Sequence, residues 1–172
     1  MASLRIVIFG NSGSGKSTLA RALANRAGLA HLDLDDIAWK SEAVRQDLQV
    51  SLKALEFFQN QHPAWVIEGC YGSLIRAAAA RASQLIFLNP GVEACQQNCR
   101  NRAWEPHKYP TREAQDANLA MLLDWVAGYE TRDDEFSLAA HRSIFEEFAG
   151  NKTQITSNSQ AVELIQQLCT SS

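Results

Sequence analysis

The chain has 172 residues, of which 46% are apolar and 20% are charged, and its formal net charge is −3. This length and balance predict one globular domain, and the net negative charge disfavours direct binding to nucleic acid. No apolar run reaches the roughly 18 residues that span a bilayer, and the first strand begins without a signal peptide. We therefore expect a cytoplasmic protein that does not contact membranes.

The first predicted element is a β-strand at residues 4–9, which leads through a glycine-rich loop into a helix at residues 18–27. The loop matches the pattern G-x-x-x-x-G-K-[ST] at every fixed position. Its glycines let the backbone approach an anion closely, and its backbone N–H groups together with the helix N-terminus would hold phosphate. We therefore predict a nucleotide-binding loop, the P-loop, with these members: Gly10, Asn11, Ser12, Gly13, Ser14, Gly15, Lys16, Ser17 and Thr18.

Two side chains of the P-loop have separate predicted roles. Lys16 would reach the β- and γ-phosphates of ATP and act directly in phosphoryl transfer. The Ser17 hydroxyl would bind Mg²⁺, a hard cation that prefers oxygen ligands. ATP and Mg²⁺ are therefore the expected cofactors.

Acidic residues end the next two predicted strands. The second strand, residues 31–36, contains Asp33 and Asp35, and alternation would place both on one side of that strand. The third strand is apolar and runs into Glu68 and Gly69, as in a Walker B element. The carboxyl ends of parallel strands lie at one edge of a sheet, so we expect these residues beside the P-loop. The alternative for the aspartates is an ordinary solvated strand end.

The remaining elements continue the alternation of strands and helices. Further strands are predicted at 85–88 and 154–156, and helices at about 42–60, 73–82, 92–103, 113–127, 135–148 and after 158. This order predicts an α/β protein of three layers, α/β/α, with a parallel sheet of about five strands. Residues 104–142 open with the irregular stretch Glu105-Pro106-His107-Lys108-Tyr109-Pro110, and we expect them to form a mobile helical lid within a single domain, residues 1–172.

With these motifs in this order, nearly the whole chain resembles the P-loop kinases of small molecules and nucleotides, in the adenylate kinase and shikimate kinase group. It resembles most their relatives called topology modulation proteins. The resemblance implies the P-loop NTPase fold, use of Mg²⁺ and ATP, and a small-molecule or nucleotide acceptor. We expect a monomer or a homodimer.

The resemblance also implies roles for single residues. Asp33 is similar to an acid that supports Mg²⁺ through water, Asp35 to one that contacts the acceptor hydroxyl as a base, and Glu68 stands where relatives usually have a metal-binding aspartate. The loop after the third strand would bind the acceptor through Gly69, Tyr71 and Gly72. Four arginines are similar to those that bind nucleotide or fold onto the transferring phosphates when a lid closes: Arg100, Arg102, Arg132 and Arg142.

The leading hypothesis is therefore an ATP-dependent kinase. The main alternative is a P-loop ATPase or nucleotide-binding regulatory protein, in which the lid reports the nucleotide state to a partner. A GTPase is less favoured, because no N-K-x-D tetrapeptide follows a strand. The arginines also have ordinary explanations. Arg100 and Arg102 could form a solvated helix end that the helix dipole favours. Arg132 and Arg142 could pair with surface carboxylates (Asp133, Asp134 or Glu146) at little gain in stability.

Overall fold

The structure, a computed structural model, describes residues 3–41 and 44–170, and of residues 168–170 only the backbone. The described strands are β1 (Arg5–Gly10), β2 (Ala30–Asp33), β3 (Trp39–Ser41), β4 (Val44–Arg45), β5 (Trp65–Gly69), β6 (Gln84–Leu88) and β7 (Asn151–Ile155). The described helices are α1 (Lys16–Ala27), α2 (Asp35–Ala38), α3 (Leu48–Gln61), α4 (Gly72–Ala79), α5 (Val92–Arg100), α6 (Arg112–Ala127), α7 (Leu138–Glu147) and α8 (Asn158–Thr170), with a 3₁₀ turn at Gly128–Glu130.

Five of the strands form one parallel sheet in the order β2-β5-β1-β6-β7. The central strand β1 is buried on both faces. Val7 and Phe9 pack into the cluster beneath α3, α4 and α7, whereas Ile6 and Ile8 pack into the cluster beneath α1 and α8. Helices thus cover both sides of the sheet, as continuous apolar strands require. The predicted three-layer α/β fold with about five parallel strands is confirmed.

The second strand ends earlier than the sequence predicted. β2 ends at Asp33, and the Asp33 carboxylate accepts a hydrogen bond from the backbone N–H of Asp35 at 2.9 Å. This side chain–backbone hydrogen bond turns the chain out of the strand and into α2. The prediction that strand alternation places Asp33 and Asp35 on one side is therefore wrong, because Asp35 is the first residue of a helix.

The helix predicted at about 42–60 begins later than expected. Asp47 is its N-cap and accepts hydrogen bonds from the backbone N–H groups of Gln49 and Val50. Before this cap, β3 and β4 form a short antiparallel hairpin that the sequence did not predict. Residues 42–43, included in the predicted helix, lie outside the described residues. The hairpin matters because it carries Arg45 to the edge of the sheet where the P-loop lies.

Part of the predicted lid packs into the body of the domain. Tyr129, Leu138 and Ile144 belong to the main core, and His141 is fully buried beside Phe9 and Phe87. Residues 101–111 form an irregular loop before α6, and α6 packs on α5 through a small separate cluster that includes Val126. The lid that we propose is therefore limited to about 101–125. Within the described residues, none of the helices combines the length and apolar character needed to cross a membrane.

Candidate active site

A cleft of about 1190 Å³ lies beyond the carboxyl ends of β1, β2 and β5. This is the expected ligand position in an open parallel sheet. The P-loop forms its floor, α5 and α8 border one end, and the hairpin with the 101–111 loop borders the other. A typical small-molecule site measures roughly 300–1,000 Å³, so this cleft has room for a nucleotide and an acceptor side by side.

The P-loop has a conformation that only glycine adopts readily at two of its turns. Gly13 has φ 77°, and a Cβ there would lie 2.4 Å from the Cys95 carbonyl oxygen and 2.6 Å from the Cys99 Sγ. Gly15 has φ 96° and directly precedes α1. The loop can therefore pack tightly on α5 while the first N–H groups of α1 face the cleft, an arrangement that favours anions.

Hydrogen bonds to neighbouring helices and within the loop fix the P-loop in place. The amide of Asn98 donates to the Gly13 carbonyl at 2.8 Å, and the buried amide of Asn11 donates to the Val126 carbonyl at 3.1 Å. Lys16 donates from Nζ to the Asn11 carbonyl at 2.7 Å. The predicted phosphate-binding members from Ser12 to Thr18 line the cleft, whereas Gly10 and Asn11 lie beneath the loop and support it.

The residues present fit a Mg²⁺ ion held beside nucleotide phosphates. Glu68 is only 1% exposed, and its Oε1 makes no hydrogen bond in the part of the chain that the structure describes. Burial would raise the pKa of Glu68, but the neighbouring His31 side chain and the charge of Lys16 hold that pKa below its ordinary value. His31 Nε2 lies 3.5 Å from Glu68 Oε1.

The two other predicted metal-binding residues, Ser17 and Asp33, line the same part of the cleft as Glu68. No group of three or more His, Cys, Asp or Glu side chains forms a metal cage among the described residues. Mg²⁺ is commonly held by one or two carboxylates together with waters and substrate phosphates. The candidate ligands are therefore the Ser17 hydroxyl and Glu68, with Asp33 acting through water.

Asp33 and Asp35 meet at the cleft and share one cation. Lys108 Nζ donates to Asp35 Oδ2 at 3.1 Å and lies 3.6 Å from Asp33 Oδ2. Burial and the negative charges of Glu68 and Asp35 raise the pKa of Asp33 to about 6. Burial acts in the same direction on Asp35, but Lys108 and a hydrogen bond from Tyr71 outweigh it, so the pKa of Asp35 lies below its ordinary value.

Tyr71 connects Asp35 to the aromatic side of the cleft. Its hydroxyl donates a short hydrogen bond to Asp35 Oδ1 and accepts one from Trp39 Nε1 at 2.6 Å. Burial and the charge of Asp35 raise the pKa of Tyr71, so the hydroxyl remains protonated and remains a donor. These contacts keep the Asp35 carboxylate ionised and fix its orientation, and a proton acceptor requires both.

The predicted acceptor glycines have different positions. Gly69 lines the cleft, and a Cβ at Gly69 would lie 2.8 Å from the Cβ of Leu34. Gly72 faces the Glu135 carbonyl oxygen, which a Cβ would approach to 2.6 Å. Gly72 thus allows the start of α4 to pack closely against the 131–137 segment and does not line the cleft, whereas Tyr71 does.

Of the four predicted arginines, Arg102 lines the cleft and forms an ion pair with Glu105 at 3.2 Å. Arg100 and Arg142 are exposed and do not line it within the described residues. The Arg132 guanidinium lies 3.7 Å from the ring centroid of Trp125 and donates a short hydrogen bond to the Trp125 carbonyl. It therefore lies behind Trp125, and contact with phosphate would require this part of the chain to move.

Lys108 and Arg45 line the acceptor side of the cleft and were not among the predicted site residues. Lys108 had a weak signal, because it lies between two prolines in a stretch that forms no regular element. Arg45 had no such sequence signal, because the apolar spacing around it predicted a helix. Its position depends on a hairpin that pairs only after the chain folds against the sheet.

This arrangement is that of the P-loop kinase fold: β1, the P-loop and α1 lie at one edge of the sheet, with acidic residues at the ends of the neighbouring strands. Residues 6–146, most of the chain, match a protein family described as AAA domain. The chain therefore belongs to this family. No curated protein matches the chain at a significant level.

Solved structures of small-molecule kinases share the whole fold. An unliganded sugar kinase from a Janibacter species has a TM-score of 0.58 at 14% identity, with 98% of this chain and 93% of that chain covered. A gluconokinase from Sinorhizobium meliloti has a TM-score of 0.55 at 16% identity, with 97% and 90% covered. A shikimate kinase from Acinetobacter baumannii, in complex with shikimate, has a TM-score of 0.54 at 18% identity, with 98% and 92% covered.

At these identities the likeness shows the fold alone. The chain has the P-loop small-molecule kinase fold along almost its full length, as the sequence motifs predicted. The identity of a substrate does not follow from it, because one fold supports many functions.

Proposed function

We propose that this protein is a kinase that transfers the γ-phosphoryl group of Mg-ATP to a hydroxyl group of a small-molecule acceptor. The observation that carries the proposal is the pairing, in one cleft, of a P-loop lysine with an ionised aspartate. Lys16 would contact the phosphates, and Asp35 would accept the proton of the acceptor hydroxyl. Phosphoryl transfer depends mainly on such positioning and on neutralisation of charge.

Electrostatics favour a hydroxyl over a phosphate as the attacking group. Asp33, Asp35 and Glu68 lie together at the acceptor side of the P-loop, and Glu68 and Asp35 have pKa values below their ordinary range. A phosphate nucleophile would bring further negative charge against these carboxylates, which like-charge repulsion opposes. A hydroxyl is neutral and needs a base, and Asp35 supplies one.

The other residues would position the reactants. When bound, Mg²⁺ would neutralise charge on the β- and γ-phosphates, with Ser17, Glu68 and Asp33 as the residues around it. Arg102 follows α5 and lines the cleft, and it would bind the nucleotide. The proposed lid, 101–125, would exclude water, which would otherwise take the phosphoryl group.

The decisive experiment is ADP formation from ATP with and without added acceptors. The panel comprises nucleoside monophosphates, nucleosides and hydroxylated metabolites. A kinase releases ADP in strong dependence on one acceptor class, whereas an ATPase releases it equally without any. We expect Lys16→Ala to abolish turnover with the fold intact, and Lys53→Ala, an exposed lysine on α3, to leave it unchanged. Wild-type turnover by folded Lys16→Ala would overturn the proposal.

A further inference from the structure

Arg45 lies in an aromatic cluster at the acceptor side of the cleft. Its guanidinium carbon is 4.5 Å from the ring centroid of Tyr71, 5.2 Å from that of Trp39 and 5.7 Å from that of Phe136. All four side chains line the cleft. Such stacking holds a guanidinium by its flat faces and leaves its N–H edges free to bind an anion.

The charge of Arg45 has only a loose partner. Arg45 Nη2 lies 3.7 Å from Glu135 Oε1, which is too long for a hydrogen bond. In the described part of the chain, the Arg45 guanidinium donates no hydrogen bond to protein. The Glu135 carboxylate is also engaged elsewhere, because its Oε2 accepts from the backbone N–H of Ser73 at 2.8 Å. Arg45 therefore presents a cation with free donors to the cleft.

Tyr71 fixes the relation between this cation and the proposed base. Its ring lies against the Arg45 guanidinium and its hydroxyl donates to Asp35. The two groups are thus separated by about the length of one tyrosine ring. An acceptor that places a hydroxyl at Asp35 would extend along Tyr71 toward Arg45.

We propose that the acceptor is a hydroxylated anion, whose carboxylate or phosphate ester group binds Arg45 while its hydroxyl is directed to Asp35. The carbon skeleton between these groups packs on the rings of Trp39 and Trp125, which are 38% and 41% exposed. Arginine recognises both anions through paired N–H donors. This inference rests on the proposed kinase activity and adds the acceptor's charge to it.

The cleft is poorly suited to a neutral polyol at this position. Specific binding of a neutral polyol requires several polar groups that match its hydroxyls. The region around Arg45 instead offers aromatic faces, one cation and the Glu135 carboxylate. Desolvation of a polyol against these rings would leave hydroxyls unpaired, which costs free energy.

Matched acceptors that differ only in charge test the proposal. One set is glycerol, glycerate and glycerol 3-phosphate, and a second is benzyl alcohol and 3-(hydroxymethyl)benzoate. Binding is measured by tryptophan fluorescence without ATP, because Trp39 and Trp125 lie at the site, and turnover is measured by ADP formation. We expect anionic members of at least one set to bind more tightly than the neutral member.

Variants of Arg45 distinguish a direct anion contact from general folding. Arg45→Gln should raise KM and the dissociation constant for the anionic probes about 10- to 100-fold, with a small change in kcat and none in the binding of neutral probes. Arg45→Lys should restore part of the affinity. Glu135→Gln should tighten anion binding by removing the competing carboxylate, and Arg81→Gln, on an exposed arginine bound to Asn60, is the control.

Equal binding of charged and neutral probes, or no binding of any anion, overturns the inference. So does an Arg45→Gln protein that binds the anions as the wild type does. If anions bind through Arg45 but none of them stimulates ADP formation, the anion site stands and the kinase proposal fails. If a neutral acceptor is phosphorylated and Arg45 has no influence, the kinase proposal stands and this inference fails.

Discussion

Asp35 is held by more partners than a solvated aspartate would have. Tyr71 donates to one carboxylate oxygen, Lys108 donates to the other, and the backbone N–H of Asp35 itself is bound by Asp33. Each contact fixes the direction of the carboxylate or favours its charge. A carboxylate with pKa below its ordinary value remains ionised at neutral pH and can accept a proton when a hydroxyl becomes acidic during transfer.

The variant Asp35→Asn tests this role at the residue scale. It is nearly isosteric and keeps an acceptor oxygen for Tyr71, but it cannot act as a base. We expect kcat to fall by about 10²-fold or more while KM for ATP stays nearly constant. Asp36→Asn, at the exposed neighbouring position in α2, is the matched control and should retain wild-type rates.

Asp33 should respond differently from Asp35. Asp33 pairs with Glu68 in the sheet register and its carboxylate binds the backbone N–H of Asp35, a position that suits a group acting through bound metal and water. Asp33→Asn should therefore raise the Mg²⁺ concentration needed for half-maximal rate more than it lowers kcat. If both variants lower kcat equally and leave the Mg²⁺ dependence alone, the division of roles is wrong.

At the scale of elements, the 101–111 loop is joined to the sheet edge through a charged contact. Lys108 reaches from this loop to Asp33 and Asp35, and the two carboxylates raise its pKa although burial acts against this. The loop is otherwise held to its own neighbourhood, for example by Gln115, which accepts from the backbone N–H of Glu105 at 2.8 Å. We therefore expect the Lys108 contact to set how open the proposed lid is before ligands bind.

Lys108→Met keeps the aliphatic part of the side chain and removes the charge. We expect faster amide hydrogen exchange across residues 102–111 in the nucleotide-free protein, because the ion pairs to β2 and α2 are lost. Arg112→Met is the control, since Arg112 pairs with Asp116 within α6 at 3.8 Å and does not line the cleft. Unchanged exchange in Lys108→Met would show that the loop is held by packing alone.

The elements that the sequence predicted well are those with local signals. The P-loop motif and the apolar strands lie in short stretches, and their order was enough to predict the parallel sheet. The errors arose where tertiary contacts determine the local structure. β2 ends because the Asp33 side chain binds the backbone of Asp35, and Arg45 reaches the cleft because β3 pairs with β4.

The predicted lid shows the same limit of prediction from sequence. Arginines after residue 131 were predicted to close on phosphate, but the chain between α6 and α7 packs into the core through Tyr129 and Leu138. Arg132 stacks on Trp125 instead of facing the P-loop. Sequence spacing indicates that an arginine follows a helix, but not which side of a packed segment it occupies. The catalytic roles of Arg132 and Arg142 stay predictions.

At the scale of the whole molecule, a buried histidine joins the cleft to the core. His141 Nε2 lies 2.9 Å from the Cys70 carbonyl oxygen, and Nδ1 lies 2.7 Å from the Tyr129 hydroxyl. A carbonyl can only accept, so Nε2 carries the proton and Nδ1 accepts from Tyr129. Through Cys70, which directly precedes Tyr71, α7 supports the loop that positions Asp35.

This histidine should make the stability of the fold depend on pH. Burial lowers the pKa of His141 to about 4, from an ordinary value of 6.5. The unfolded chain therefore binds a proton at higher pH than the folded protein does, and the free energy of unfolding should fall as the pH decreases from about 6.5 to about 4. The loss from this one group is on the order of a few kcal/mol.

The comparison of His141→Gln with the wild type isolates this contribution. Because the pKa of Asp33 is raised, its titration makes the free energy of unfolding change with pH in the opposite direction below about pH 6. The wild-type curve therefore combines the contributions of both residues. Denaturant unfolding at several pH values should show that His141→Gln is less stable at pH 7 but loses less further stability between pH 6.5 and 4. His107→Gln, at an exposed position of the 101–111 loop, should leave the curve unchanged. Parallel curves for wild type and His141→Gln would mean that His141 titrates alike in both states and does not hold the cleft loop as a neutral donor.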